Sequence, residues 1–213
     1  MNEEAAVVRA HAIAAANYVT LLDWRRRIAD LYGDVRSRLS RDPIGAHAYW
    51  LERRNDLFRS HPQSPLHADA RVGFPGLRCF EYDARFAFAA TIRPLPEKRF
   101  DVDTSTGSTI TFVRFGAVDL PVGTLEVMWL DAYGGGVFLP FRDATSGTTT
   151  YGGGRYLLDT AKGADLGVRA NELVLDFNFA YHPSCAYDSA WTCPLAPPDN
   201  RLAAAIDAGE RMP

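Results

Sequence analysis

Cysteine is scarce: the chain of 213 residues carries only three. An odd count in a chain of this size does not build a disulfide scaffold and points to the cytosol as the default compartment. Charge of one sign is also missing, since 23 Lys and Arg stand against 26 Asp and Glu for a net charge of −3. Without a global positive field there is nothing to draw a phosphate backbone, so nucleic acid is not expected as a partner. Long apolar runs are absent too. The stretch from Ala5 to Ala16 is interrupted by Arg9 and His11 and falls far short of the roughly 20 residues of a membrane span. No membrane association is therefore expected. The opening Met1-Asn2-Glu3-Glu4 is acidic where a secretory signal would be basic. No internal repeat, low-complexity run or interdomain linker stands out, which predicts a single domain over 1–213.

What is present divides into two periods. Val7, Ala10, His11, Ala14, Tyr18, Leu21 and Leu22, then Ile28, Leu31, Val35 and Leu39, recur at three- and four-residue steps, the spacing of a helix with one apolar face. Gly33 is a candidate break or kink in it. Asp42-Pro43 reads as an N-cap followed by proline in the first turn, opening a second helix to about Ser60 that His61-Pro62-Gln63-Ser64-Pro65 ends. Arg25-Arg26-Arg27 and Arg53-Arg54 fall within these helical patterns, and a solvated helix face is the simplest reading of both runs.

After Pro65 the period drops to 2. Strands are predicted at Phe86 to Ile92, Ile110 to Phe115, Thr124 to Leu130, Gly136 to Phe141 and Leu173 to Phe179, with weaker ones at Cys79 to Tyr82, Phe100 to Asp103 and Arg155 to Leu158. Turns at Thr106-Gly107, Val122-Gly123 and Gly134-Gly135 join several of them. Helices do not alternate with strands, so parallel βαβ units are not expected. The expected class is α+β, with the N-terminal helices of 1–62 packed on a mostly antiparallel β-barrel or sandwich-like body over 63–213.

Chemically useful side chains crowd between Phe141 and Arg201. On a strand ending at Phe179, Asp176 and Asn178 project from the same face, where they line a pocket or, at a strand end, cap a turn. Gly152-Gly153-Gly154-Arg155 offers backbone amides and a bidentate guanidinium to an anion. The alternative is a bulge or tight turn. Arg142 and Arg155 would form an anion clamp, unless they pair with Asp143 or Asp176 at the rim. Tyr151, Tyr156, Tyr181 and Tyr187 suit ligand contact as well as core edges. His182, Cys185 and Cys193, with Asp176 or His61 as a fourth ligand, have the chemistry of a zinc set. They lack the close Cys-x-x-Cys pairing, and no metal is expected. Cys185 and Cys193 could instead bond to each other or remain buried thiols. Cys185 beside His182 is also a formal nucleophile–base pair, and Ser146 lacks the Gly-x-Ser-x-Gly elbow. No nicotinamide, flavin, haem or pyridoxal signature is visible, so no organic cofactor is expected.

Three blocks carry a resemblance. They are Thr145-Ser146-Gly147 with Thr150-Tyr151-Gly152-Gly153-Gly154-Arg155-Tyr156-Leu157; Asp176-Phe177-Asn178-Phe179-Ala180-Tyr181-His182-Pro183-Ser184-Cys185-Ala186-Tyr187; and Cys193-Pro194 to Leu202. With Ser64-Pro65-Leu66, Phe74-Pro75-Gly76-Leu77 and the terminal Ala208-Gly209-Glu210, they resemble domain-of-unknown-function family 1684 over most of the chain after the first helix. The resemblance implies no particular activity. Two positions depart from the family pattern: Thr149, where glutamate is common, and His182, where asparagine is.

The leading expectation is an enzyme acting on a small anionic polar molecule at the mouth of the β body. Asp176, His182 and Tyr151 would move protons, and Arg142, Ser146, Arg155, Asn178 and Tyr181 would hold the ligand. A non-catalytic binding protein using the same pocket is the alternative, and a structural or interaction protein the third. An up-shifted Asp176 in a pocket would favour the enzyme.

Overall fold

In the computed structural model the described residues are 3–212, with side chains from 15 to 212. The helical period begins at the N-terminus as expected: α1 spans Glu3–Leu39 without a break at Gly33. The side chains of Val7, Ala10, His11 and Ala14 lie outside those described. Helix α2 spans Pro43–Ser60, and the Asp42 carboxylate accepts from the Gly45 N–H at 2.9 Å, the predicted N-cap. At its other end the His61 N–H donates to the Leu57 carbonyl. A single helical turn, α3 (Ala68–Arg71), follows.

The named strands that follow pair antiparallel throughout. A five-stranded sheet runs β3 (Arg93–Asp103), β4 (Thr109–Leu120), β5 (Gly123–Leu130), β6 (Val137–Phe141), β7 (Arg155–Asp159) in simple meander order. A second sheet is ordered β2 (Ala87–Ala90), β9 (Glu172–Asp176), β8 (Val168–Arg169), and β1 (Arg78–Cys79) pairs with β10 (Glu210–Arg211). The sheets stay open, so the body is sandwich-like and no barrel closes. Several strands differ from expectation: β8 and β10 were not expected, and β1 covers Arg78–Cys79 where Cys79 to Tyr82 was. Strand β3 starts at Arg93, earlier than the Phe100 expected, because Pro94 and Pro96 sit on a sheet edge, where a missing N–H breaks no ladder. Strand β9 ends at Asp176, and Phe177–Phe179 form one turn of 3₁₀ helix instead of more strand.

A bulge lets the large sheet bury both faces. Residues 112 and 118 of β4 would share a face in an unbroken strand. The β4–β5 register instead shifts between Arg114 and Gly116, leaving Phe115 unpaired. Phe112 therefore packs with Met128, Phe138 and Tyr156 on one face, and Val118 packs with Leu125, Val127 and Leu175 between the two sheets. A third cluster joins Val35 of α1 and Trp50 of α2 to Phe179. The helices thus sit over the 3₁₀ turn and the loop that follows it, which fixes the position of the candidate site.

Candidate functional site

The predicted residues separate into three places. The first is a knot around Asp143. Its carboxylate accepts from the Thr145 hydroxyl at 2.8 Å, the Ser146 hydroxyl at 3.1 Å and the Ile206 N–H at 2.7 Å. Arg155, only 1% exposed, donates to the Ile206 carbonyl at 2.9 Å, the Glu210 carbonyl at 3.3 Å and the Ala208 carbonyl, and approaches Asp143 at 3.5 Å. Burial lowers its pKa, an effect that Asp143 and Glu210 oppose. The glycine run makes the turn into β7. Gly154 has φ +95, and a Cβ there would meet the Phe141 carbonyl oxygen at 2.5 Å. Arg142 is tied through its backbone to Asn200 and Leu202 and bridges to Arg201. The anion clamp expected of Arg142 and Arg155 is not formed by these two groups, because Arg155 faces carbonyls of the C-terminal segment. Ser146 faces Asp143.

The second place is a groove of about 320 Å³ bordered by Leu39, Pro43, Tyr82, Phe88, Val174 and Asp176. The Asp176 carboxylate accepts from the Asn178 N–H at 3.0 Å, the Asn178 carboxamide at 2.7 Å and the Tyr82 hydroxyl at 3.1 Å. Asn178 in turn exchanges two hydrogen bonds with the Asp83 backbone. This is the turn-capping geometry weighed as the alternative for the pair, because the strand stops at Asp176. Burial pushes the Asp176 carboxyl above the usual carboxylate range despite these donors, and burial with the Asp176 charge pushes the Tyr82 hydroxyl up.

The third place is the cleft between the helices and the segment after the 3₁₀ turn. A cavity of about 70 Å³ opens there, walled by Trp24, Phe58, Tyr156 and Tyr181 and carrying Arg54 and Lys162. His182 and Ser184 complete it. Arg54 donates to Glu210 Oε2 at 3.1 Å, and the His182 N–H donates to the same oxygen at 3.0 Å. The Arg54 guanidinium lies 4.9 Å from the Trp50 ring, 5.2 Å from Phe58 and 5.0 Å from Tyr181, within cation–π range. Burial pushes the Glu210 carboxyl up.

His182 lies on the wall of this cleft. Burial, then Arg155 and Arg54, bring its pKa down to about 3. It is a neutral imidazole at physiological pH. Its Nε2 accepts the Tyr151 N–H at 3.2 Å, which puts the ring proton on Nδ1. Of the residues singled out from the sequence, Tyr156, Tyr181 and His182 line the cleft and Tyr151 stands behind His182. Asp176 lies in the separate groove, so the proposed proton-transfer trio is not assembled.

Arg54, Glu210, Trp24 and Lys162 were not singled out as site residues by the sequence. Reading Arg53-Arg54 as a solvated doublet holds for Arg53 alone, since Arg54 is 5% exposed. A signal existed: position 54 continues the buried stripe Ala46, Trp50, Phe58 at four-residue steps. His61, considered as an acid or base, caps α2 and lies 3.1 Å from Asp23. Among the described residues no three His, Cys, Asp or Glu side chains gather as a metal-ligand set. Nor is any helix there long and apolar enough to cross a membrane.

Comparison with known proteins adds a family and a fold. The model of a family described as a protein of unknown function, DUF1684, matches residues 72–211. Among solved structures, the solution structure of an uncharacterized protein of Haloarcula marismortui is similar, at 33% identity and a TM-score of 0.52, covering 76% of this chain and 90% of that one. No curated protein matches. The Ser64-Pro65-Leu66 part of the resemblance falls outside the matched span.

Proposed function

The chain belongs to the family of unknown function DUF1684, and from that premise we propose that it is a binding protein for a small anionic molecule held in the helix–sheet cleft. The observation that carries this reading is the lining of the cavity, where Arg54 and Lys162 stand among Trp24, Phe58, Tyr156 and Tyr181. Two cationic side chains and four aromatic rings give the pocket donors for an anion and flat apolar walls. Such a pocket favours a carboxylate or similar group attached to a flat apolar body. The enclosed volume of about 70 Å³ exceeds the ~10–15 Å³ needed for one water and suits an anionic head group, with the remainder of the ligand emerging past Ser184. Binding without catalysis is favoured because His182 Nε2 is already occupied by the Tyr151 N–H and the ring is too weak a base to collect a proton near neutral pH.

The test is thermal melting against a panel of small aromatic and aliphatic carboxylates, with the native chain and with Ser184→Trp, which fills the cleft mouth. A ligand at a hundred times its Kd adds roughly 2.7 kcal/mol, equivalent to about 5–10 °C for a chain of this size. The expected result is a shift in the native chain that Ser184→Trp abolishes. Equal shifts in both, or none in the native chain, would refute it.

One observation favours an enzymatic reading at the other opening. Asp176 has a raised pKa, accepts from the Tyr82 hydroxyl and borders a groove of about 320 Å³, as a general acid would. An activity lost in Asp176→Asn, with melting temperature retained and Ser184→Trp without effect, would move the function there.

A further inference from the structure

Two of the three cysteines meet beside the cleft, in an arrangement that ligand binding does not use. Cys185 lies on a single 3₁₀ turn, Ser184–Ala186. Its N–H donates to Cys193 Sγ at 3.4 Å. On its other side Cys185 Sγ lies 3.7 Å from the Tyr151 hydroxyl. Cys193 is held at its backbone by Ser105, which accepts the Cys193 N–H on Oγ at 3.1 Å and donates its own N–H to the Cys193 carbonyl at 2.9 Å. Neither sulfur is in a disulfide. Cys193 Sγ therefore lies against Cys185, while the two residues are anchored from different parts of the fold, Cys193 by the turn after β3 and Cys185 by the segment lining the cleft.

We propose that Cys185 and Cys193 are a redox-active dithiol that a hydroperoxide converts into an intramolecular disulfide, Cys185 attacking and Cys193 resolving. In the first step the Cys185 thiolate attacks the peroxide oxygen. The O–O bond breaks, Cys185 becomes a sulfenic acid and the departing hydroxide takes a proton to become water. In the second, the Cys193 sulfur attacks the sulfenic sulfur, its proton leaves with the sulfenic hydroxyl as water, and the S–S bond forms. Two thiols and one hydrogen peroxide give one disulfide and two waters.

The asymmetry of the contact assigns the order. The Cys193 side chain, then the Tyr151 hydroxyl, draw the Cys185 thiol down against the cost of burial, while Cys185 and burial push the Cys193 thiol up. The thiolate is the nucleophilic form. Cys185 is 8% exposed, an opening that suits an oxidant scarcely larger than water better than a bulky disulfide. Cys79 provides an internal control. It is half-buried and burial pushes its thiol up to about 12.

The test treats the full reduced protein with equimolar hydrogen peroxide, blocks remaining thiols with an alkylating agent and maps the chain by mass spectrometry. No Lys or Arg lies between Cys185 and Cys193, so chymotryptic cleavage at Tyr187 and Trp191 separates them. The expected result is loss of two of the three thiols, a crosslinked pair of peptides carrying Cys185 and Cys193, alkylated Cys79, and recovery of all thiols with dithiothreitol. In Cys193→Ser a sulfenic acid on Cys185 should accumulate, trapped by dimedone. Because the wild-type map decides the matter, a folding defect in that variant leaves the proposal testable. Unreacted Cys185 and Cys193, preferential oxidation of Cys79, a bond between two chains, or a Cys185 sulfinic acid without crosslink would each overturn it.

Discussion

The knot around Asp143 and the cleft around Arg54 use the same materials to opposite ends. Each pairs a buried arginine with a buried carboxylate, and each depends on the C-terminal segment, through Ile206, Ala208 and Glu210. In the knot, Arg155 and Asp143 meet backbone and hydroxyl partners, and the groups face inward. In the cleft, Arg54 lies against aromatic rings beside a cavity. The contrast teaches that polarity along a sequence does not mark a ligand site. A polar group becomes available only where the fold leaves open space beside it, as the cavity does at Arg54.

The sharpest way to break this contrast is Arg155→Ala. It leaves the Asp143 charge and three carbonyls without their partner, so the expected loss is about 3–5 kcal/mol, read by urea unfolding. A stable variant that has lost ligand binding would make the knot the site. Next is Asn200→Ala. The Asn200 carboxamide donates to the Glu126 and Pro140 carbonyls at 3.0 and 2.8 Å and accepts the Glu126 N–H at 2.8 Å. Its removal is expected to cost about 2 kcal/mol without changing ligand affinity.

Acid sharpens the comparison from the other side. In the unfolded chain an imidazole takes up its proton near pH 6.5, whereas in the folded protein His182 does so only near 3. Between those values the unfolded state holds the extra proton, so the His182 contribution to stability is complete above the upper value and declines as pH falls. Asp176 and Glu210, both raised by burial, act in the opposite sense, because the folded state holds their protons and stability declines as pH rises. Comparing wild type with His182→Asn isolates the histidine. Urea midpoints of the variant should fall less steeply than those of wild type from about pH 6 to 4. The smallest expected effect on stability is that of Ser184→Trp at the half-buried cleft rim, a melting temperature within error of wild type together with the lost ligand shift.

Much of the fold was legible because it rests on local periods. The change of period after Pro65, the Asp42-Pro43 cap and the glycine turns each act within a few residues of where they are read. The start of β3 was obscured by Pro94 and Pro96, whose acceptability depends on an edge position that only the assembled sheet defines. The 3₁₀ turn at Phe177–Phe179 was hidden because Asp176 caps it with a side chain, and alternation alone cannot see that. The site was less legible than the fold. Tyr181 and His182 stood out as polar residues in a specific block, but the fate of Arg155 depends on carbonyls 51 to 55 residues away. Arg54 meets Glu210 across 156 residues. Long-range pairing of this kind leaves no local pattern in the sequence.

The most direct measurement is an ¹H–¹⁵N chemical-shift map of the protein titrated with the best carboxylate of the panel. The account predicts perturbations concentrated at the Trp24 indole and the amides of Tyr181, His182 and Ser184, with Gly147 to Gly154 changed little beyond Tyr151, whose N–H contacts His182. Perturbations centred on Gly147 to Arg155, or on Tyr82 and Asp176, would contradict it and return the site to one of the other two places.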